Sequence, residues 1–460
     1  TYPGRTATSQ NNLGLVLNEL EDYVGAEKIL RLALESRLQL FGARSVYTST
    51  TQNNLAICLT GIGSDKHQEE VGDLRLSCYE TRRDILGPGH PRTLTAMLGL
   101  ARYKSAAGEI DEAIEISDQV LVLRRQHSGE HSGAYASALS IHAGLLIEAN
   151  KTTEGGKLLR KSVELSNEIL GEYHPDTLTR LARLAFLLLE NNEVDEGLEY
   201  LRDVYDARGK KLGQASPATI RAGNNYAQAL IENDRTGEGI DQLRRLLRVS
   251  SRSLGWLDSK TQVVAYNLVS ALEDHDRYRE AIKVQLSLVA SYEADPEDSA
   301  DDLANAYEDL ARLYANSDQF NQSRRAYEQA IKLFEDIYGS TDEDVLRCKQ
   351  SLGVLYRNHG RPEDGIGLLE DVVSAYRTRE ETSDLGSALM ALGSNVYLAG
   401  DRVAGFKLLE ESLEIRRGLC RDENECDGYV ATLERLVEFY EESNMGAKAE
   451  TLRKEREILN

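Results

Sequence analysis

The sequence predicts an all-α solenoid, a right-handed superhelix of about eleven antiparallel helix pairs. Three observations predict it. Gly87, Gly129, Gly171, Gly213 and Gly255 are each 42 residues apart, with Gly339 two periods further on, and a fixed period of this size marks a stacked repeat. A leucine followed by a small residue recurs at Leu13-Gly14, Leu55-Ala56, Leu100-Ala101, Leu184-Ala185, Leu310-Ala311, Leu352-Gly353 and Leu392-Gly393. Substituted forms stand in register at His142-Ala143, Tyr226-Ala227, Leu268-Val269 and Leu436-Val437, which makes eleven units. Thirteen residues after the leucine comes a second small residue: Ala26, Ala113, Gly155, Gly197, Gly239, Ala281, Ser323, Gly365, Gly405 and Ala449.

The second small residue has a direct physical reading. Two antiparallel helices joined by a short turn approach closely only where side-chain bulk is absent. A glycine there costs up to ~1 kcal/mol in helix propensity, so its recurrence means that packing outweighs propensity. Other apolar residues follow helical spacing, as at Leu158, Leu159, Val163 and Leu165.

In order, the units are expected at residues 5–42, 43–87, 88–129, 130–171, 172–213, 214–255, 256–297, 298–339, 340–380, 381–421 and 422–460, as one solenoid. The second unit is 45 residues from the third, and its surplus falls in a loop at Gly61–Glu70. The seventh ends at Asp295-Pro296, which stops a helix without glycine. The tenth is two residues short and is followed by an acidic loop from Arg421 to Gly428. The last helix, from Ala447, is charged as a capping helix facing water should be. The opening Thr1-Tyr-Pro-Gly lies near an inter-unit boundary and reads as the start of a fragment of a longer chain.

At 460 residues the chain would ordinarily suggest several domains, but a solenoid grows by units and needs no separate cores. The formal charge of −22 argues against nucleic acid and against an anionic membrane, and favours partners of some basic character. No apolar run reaches the roughly 18 residues of a membrane span. Five cysteines form no metal pattern. Cys58, Cys78 and Cys348 read as small buried residues, whereas Cys420 and Cys426 flank a loop where they could pair under oxidising conditions. An odd, sparse count suits a reducing cytoplasm.

These marks resemble the tetratricopeptide repeat, and the 42-residue spacing resembles its kinesin-light-chain-like subtype. So do Gln10-Asn-Asn-Leu-Gly14, Gln52-Asn-Asn-Leu-Ala56 and Leu86-Gly-Pro-Gly-His-Pro91. The resemblance covers essentially residues 5–460. It implies a protein-binding superhelix whose first helix in each pair lines the concave surface. Because this subtype is also found fused to kinase and NTPase modules, the alternative is the regulatory region of a larger signalling enzyme, in contact with a domain that is missing here.

No catalytic constellation, cofactor fingerprint or metal site is found. His127-Ser-Gly-Glu-His131 formally matches an inverted zinc motif, but Gly129 is a boundary glycine, so the stretch reads as a turn. The loop Asp422–Gly428 lacks the oxygen ligands of a calcium site where Cys426 stands. Arginine pairs at Arg82-Arg83, Arg124-Arg125, Arg244-Arg245, Arg324-Arg325 and Arg416-Arg417 read as solvated outer-face cations near helix C-termini.

Binding is therefore expected on the first helices. The candidate residues are Asn11, Asn12, Asn53, Asn54, Arg102, Arg183, Asn224, Asn225, Gln228, Asn267, Arg312, Arg357 and Asn358. Asparagine is a poor helix former, so its enrichment has a cause: either it clamps the backbone of an extended peptide, or it forms a ladder between repeats. Two turns upstream, Thr8, Thr50, Thr95, Ser137 and Thr179 stand where carboxylate-clamping relatives carry a basic residue; only Arg221 and Arg347 are basic there. The expected function is non-catalytic binding of an extended protein segment.

Overall fold

The 42-residue period is a backbone requirement. In the computed structural model, Gly42, Gly87, Gly129, Gly171, Gly213 and Gly339 each follow a helix with φ from +76° to +91° and ψ from 155° to 173°. That region is essentially closed to residues with a Cβ. At Gly171 the amide N–H donates to the Asn167 carbonyl at 2.9 Å, closing the helix before the chain turns. A second periodic position appears in the turn inside each pair. Asn150, Asn192, Asp234, Asp276 and Asp318 have φ from 56° to 64°, with Gly108 and Gly360 in phase. This left-handed conformation is one that glycine, asparagine and aspartate adopt.

The structure describes residues 3–20, 22–295, 299–379, 382–422 and 426–457. Among them are 22 α-helices, making the eleven expected pairs, and no strand. The chain divides into two compact units. Unit 1, residues 1–222, holds α1 (Pro3–Glu19), α2 (Tyr23–Phe41), α3 (Val46–Ile62), α4 (Gln68–Leu86), α5 (Pro91–Ala106), α6 (Ile110–Ser128), α7 (Gly133–Glu148), α8 (Thr152–Leu170), α9 (Pro175–Glu190), α10 (Val194–Leu212) and the start of α11 (Pro217–Glu232). A 3-10 turn, Asp65–His67, occupies the longer loop between α3 and α4. Unit 2, residues 223–460, holds the rest of α11, then α12 (Thr236–Ser253), α13 (Ser259–Glu273), α14 (Tyr278–Glu293), α15 (Ala300–Asn316), α16 (Phe320–Tyr338), α17 (Glu343–Asn358), α18 (Pro362–Arg379), α19 (Thr382–Leu398), α20 (Arg402–Asp422), α21 (Asp427–Glu442) and α22 (Gly446–Glu457). Odd-numbered helices are the first of each pair, here called helix A. The acidic loop weighed as a calcium site lies partly outside the described residues, at 423–425, as do the boundaries expected at 297 and at 380–381.

Within a pair the close crossing is as tight as the small residues imply. A Cβ on Gly155, Gly197, Gly239 or Gly365 would lie 2.7–2.9 Å from the carbonyl oxygen of Ala143, Ala185, Ala227 or Gly353. In the eighth pair Ser323 occupies the site and donates its hydroxyl to the Ala311 carbonyl at 2.8 Å. The cores are correspondingly local: Ala26, Leu30, Leu55, Ala56 and Leu59 form one cluster in unit 1, and Tyr397, Leu409, Leu433 and Phe439 form one in unit 2.

Successive pairs are fastened by buried arginines, and this corrects the reading of three of the five arginine pairs; Arg244-Arg245 and Arg324-Arg325 lie at the surface as expected. Arg82, Arg124 and Arg416 are 5%, 7% and 7% exposed, not solvated. Arg82 Nη1 donates to the Arg92 carbonyl at 3.1 Å, and Arg416 Nη1 to the Gly428 carbonyl at 2.6 Å. Arg124 bonds the Ala134 carbonyl in the same way. Arg37, not part of any pair, donates to the Tyr47 carbonyl at 2.7 Å. Each ties the end of a helix B to the first turn of the next helix A. A return bond runs from Thr93 Oγ1 to the Arg82 carbonyl at 3.1 Å. The second members Arg83, Arg125, Arg245 and Arg325 face solvent, and Arg244 and Arg324 are half-exposed.

The boundary histidines are helix caps. His90 Nδ1 and His174 Nδ1 accept from the amides of Arg92 and Asp176, at 3.1 and 3.2 Å, with proline as the next residue. In the His127–His131 stretch Gly129 ends α6 at φ +76° and Ser132 caps α7, which makes it a turn. Cys420 and Cys426 are joined by a disulfide across a 4.4 Å Cα–Cα gap, where the sparse count had favoured reduced thiols. The end of α20 and the start of α21 bring them together. Cys58, Cys78 and Cys348 are free and buried. Among the described residues, no helix is long and apolar enough to cross a membrane.

Gly171→Ala is expected to destabilise the chain by about 1–3 kcal/mol, because alanine must enter a region that strains it. Gly144→Ala, in a helical site with open space around it, is expected to stabilise by about 0.5–1 kcal/mol. Urea midpoints of the two variants should move in opposite directions. A pH effect is expected at His142, which fills the leucine register at 7% exposure with Nδ1 2.7 Å from Ser117 Oγ. Burial pushes its imidazole below the ordinary value, against the weaker upward pull of Asp118 and Glu154. The unfolded chain therefore binds this proton more readily than the folded one. The stabilisation is present above the unfolded value of about 6.5 and is lost as pH falls through it toward the folded value. Melts from pH 7.5 to 5 should show a shallower decline for His142→Leu than for the parent.

Candidate functional site

The helix-A faces carry the thirteen candidate residues, and the structure separates them into three kinds. Some asparagines bond between repeats. Asn54 Nδ2 donates to Asn11 Oδ1 at 3.2 Å, Thr51 Oγ1 donates to the same oxygen at 3.0 Å, and both asparagines are buried. Asn267 Nδ2 donates to Asn224 Oδ1 at 2.9 Å, again one repeat apart. A second kind is held by neighbouring charge. Asn53 Oδ1 accepts from Arg75 at 2.9 Å. Arg312 pairs with Glu273 and, at 3.0 Å, with Asp309. Arg357 is half-buried, and burial together with nearby Arg435 pushes its guanidinium below the ordinary value. The third kind is open: Asn12, Asn358, Arg102 and Arg183 are exposed, and Asn225 and Gln228 half-exposed.

The sequence reading missed Asn395, which is fully buried and donates to the carbonyls of Gly353 and Pro362 at 3.0 and 3.1 Å. A signal existed. It stands three residues after Leu392, where the other units carry Cys58, Leu145, Leu187, Leu313 and Leu355. A lone amide in an apolar register is there to bond backbone.

Helix-A arginines differ in how their charges are met. In unit 2 Arg312 and Arg347 have carboxylates, whereas Arg357 makes no ion pair with any described residue. Arg347, one of the two basic residues at the clamp position, bonds Glu308 through Nε at 2.8 Å and Asp344 at 2.6 Å. In unit 1 Arg102 and Arg183 on helix A, and Arg75 on the helix-B element α4, make no ion pair with any described residue. Arg183 reaches only Ser140 Oγ, at 3.4 Å. Burial pushes Arg102 below the ordinary value and Arg183 adds to the effect. Exposed yet walled in by protein, Arg102 is a cation without an ion pair among the described residues.

Arg102 also borders two cavities in unit 1. One, of about 400 Å³, lies among α3, α4 and α5. The other, of about 390 Å³, lies between α7 and α9 and is lined by Ile141, Leu145, Phe186 and Arg183, with Glu148 and Glu190 at its rim. Ile57 and Phe186, at 42% and 39% exposure, put apolar surface beside the arginines. A larger cavity of about 790 Å³ among α18, α19 and α20 has its one cation, Arg377, already paired with Glu411 at 2.6 Å. Among the described residues, no group of three or more His, Cys, Asp or Glu is placed to hold a metal ion.

Models of the tetratricopeptide repeat match residues 5–67, 302–378 and, with a second model, 93–132. No curated protein matches the chain. Among solved structures, the chain is similar to a Podosopora anserina protein of nearly identical TPR-like repeats named for kinesin light chain, at 18% identity over 54% of this chain and 97% of that one, TM-score 0.36. It is similar to BtubC (BKLC) from P. vanneervenii at 15% identity over 58% and 92%, TM-score 0.31. The apo form of RapI aligns at 13% identity over 91% and 99%, TM-score 0.48. At these scores none of the likenesses bears on what the chain binds.

Because Asn395 bonds two buried carbonyls, Asn395→Ala is expected to cost about 1–3 kcal/mol. Exposed Asn358→Ala should stay within about 0.5 kcal/mol of the parent. Equilibrium denaturation of the two variants checks the difference.

Proposed function

The chain carries tetratricopeptide repeats, and on that premise we propose that it is a non-catalytic protein-interaction scaffold whose helix-A face in unit 1 binds an extended segment of another protein. The observation that carries this reading is the row of unpaired cations, Arg102 and Arg183, beside the half-exposed Ile57 and Phe186. Arg102, partly desolvated and without an ion partner, is costly to hold, and a carboxylate offered in bidentate geometry relieves that cost. Apolar side chains between the carboxylates would enter the cavity between α7 and α9.

The partner segment is therefore acidic and apolar. The whole-chain charge of −22 points toward basic partners, but a partner meets the local field. Arg102 and Arg183 make no ion pair with any described residue, although Glu148 and Glu190 stand at the rim of the same cavity. Of the open residues, Asn12 sits on the same unit-1 face as a hydrogen-bonding contact. Asn11 and Asn54 are already committed to each other, so they support the face without reading the segment.

The test is selection of a random twelve-residue peptide library on the purified chain. Enrichment of Asp or Glu interleaved with apolar residues is expected, with binding weakened at least about tenfold, or ~1.4 kcal/mol, by the double change Arg102→Ala and Arg183→Ala at an unchanged melting temperature. Enrichment of basic peptides, or equal binding by the double variant, would sink the reading.

A further inference from the structure

The cavity among α3, α4 and α5 has a built wall. Gly99 of α5 has no side chain where the guanidinium of Arg75 lies; a Cβ there would come 2.8 Å from Arg75 Nη1. Gly72 of α4 likewise leaves the space that the Tyr103 ring fills. Asn53 Oδ1 then fixes Arg75 by accepting from Nη1 at 2.9 Å. The surplus residues of the second repeat add the Asp65–His67 turn, which closes the cavity on another side. His67 stands at the N-cap of α4 without capping it, and its Nδ1 is buried with no hydrogen-bond partner.

The contents of this wall call for an anion with an apolar body. Ile57, Val71 and Tyr103 supply the apolar lining. Arg75 and Arg102 supply charge that nothing else meets. Burial pushes both below the ordinary value, and the nearby charges that act on them include further arginines, Arg102 and Arg82 on Arg75, and Arg183 on Arg102. A volume of about 400 Å³ is within the range of small-ligand pockets.

We propose that this cavity is a small-molecule site for an aromatic carboxylate, with the ring system held between Ile57, Val71 and Tyr103 and the carboxylate against Arg75 and Arg102. His67 Nδ1 is left to meet a polar substituent on the ring. The site is distinct from the cavity between α7 and α9 and shares Arg102 and Ile57 with the peptide-binding face. Gly99 and Asn53 are positioning residues, since they act through Arg75.

Calorimetry on the full chain with 2-naphthoate, and with uncharged 2-naphthamide as control, tests this. The acid is expected to bind at least about tenfold more tightly than the amide. Arg75→Met should abolish that preference, and Gly99→Ala should reduce it, since the added methyl displaces only the tip of a flexible side chain and leaves the helices in place. Arg183→Ala should leave naphthoate binding within about twofold while weakening the acidic peptide, which separates this site from the peptide face. Equal binding of acid and amide, an undiminished preference in Arg75→Met, or no binding at about 5 mM naphthoate would overturn the proposal.

Discussion

The rest of the structure depends on how closely two backbones approach inside each repeat. With a Cβ on Gly197 set to fall 2.9 Å from the Ala185 carbonyl oxygen, the helices of that pair are in contact through main chain. Side chains elsewhere on those helices are thereby released for other tasks. One stripe packs within the repeat, a second meets the neighbouring repeat, and helix A keeps a third face with no packing duty. Recognition can use the open positions of that face, such as Asn12, Arg102 and Arg183, while Asn11 and Asn54 beside them bond between repeats.

Neighbouring repeats are held by polar bonds as much as by apolar contact. Arg37, Arg82, Arg124 and Arg416 each reach the carbonyls of the following helix, and Asn54, Asn267 and Asn395 bond across repeats. A carbonyl in the first turn of a helix already serves its own hydrogen bond, yet it has a second lone pair for the guanidinium. The bonds are directional, so they set register between repeats where apolar packing alone would allow sliding.

Features imposed by the backbone were legible in the sequence. The period, the eleven pairs and the close crossing each demand a residue without bulk, and glycine at Gly87, Gly129 and Gly171 announces itself. The second period, from Gly108 through Asn150 and Asp276 to Gly360, was hidden because three residue types share the left-handed conformation. Three of the arginine pairs misled because acidic neighbours such as Glu80 and Asp84 lie on the solvent side of the same helix, while Arg82, two residues from each, turns inward. The asparagines could not be divided into ladder and open face from spacing alone: Asn11 and Asn12 are adjacent, yet one is buried and the other exposed.

Placement of an acidic, apolar segment on unit 1 is the central functional claim, and photo-crosslinking addresses it most directly. A benzophenone amino acid would be installed in place of Phe186 on the helix-A face, and separately in place of Leu76, an exposed residue of α4 on the opposite member of its pair. Each variant would be irradiated with an acidic peptide that binds the parent chain. Adducts from position 186 and none from position 76 are predicted. Adducts from position 76 alone would place the ligand on the helix-B side and contradict the account.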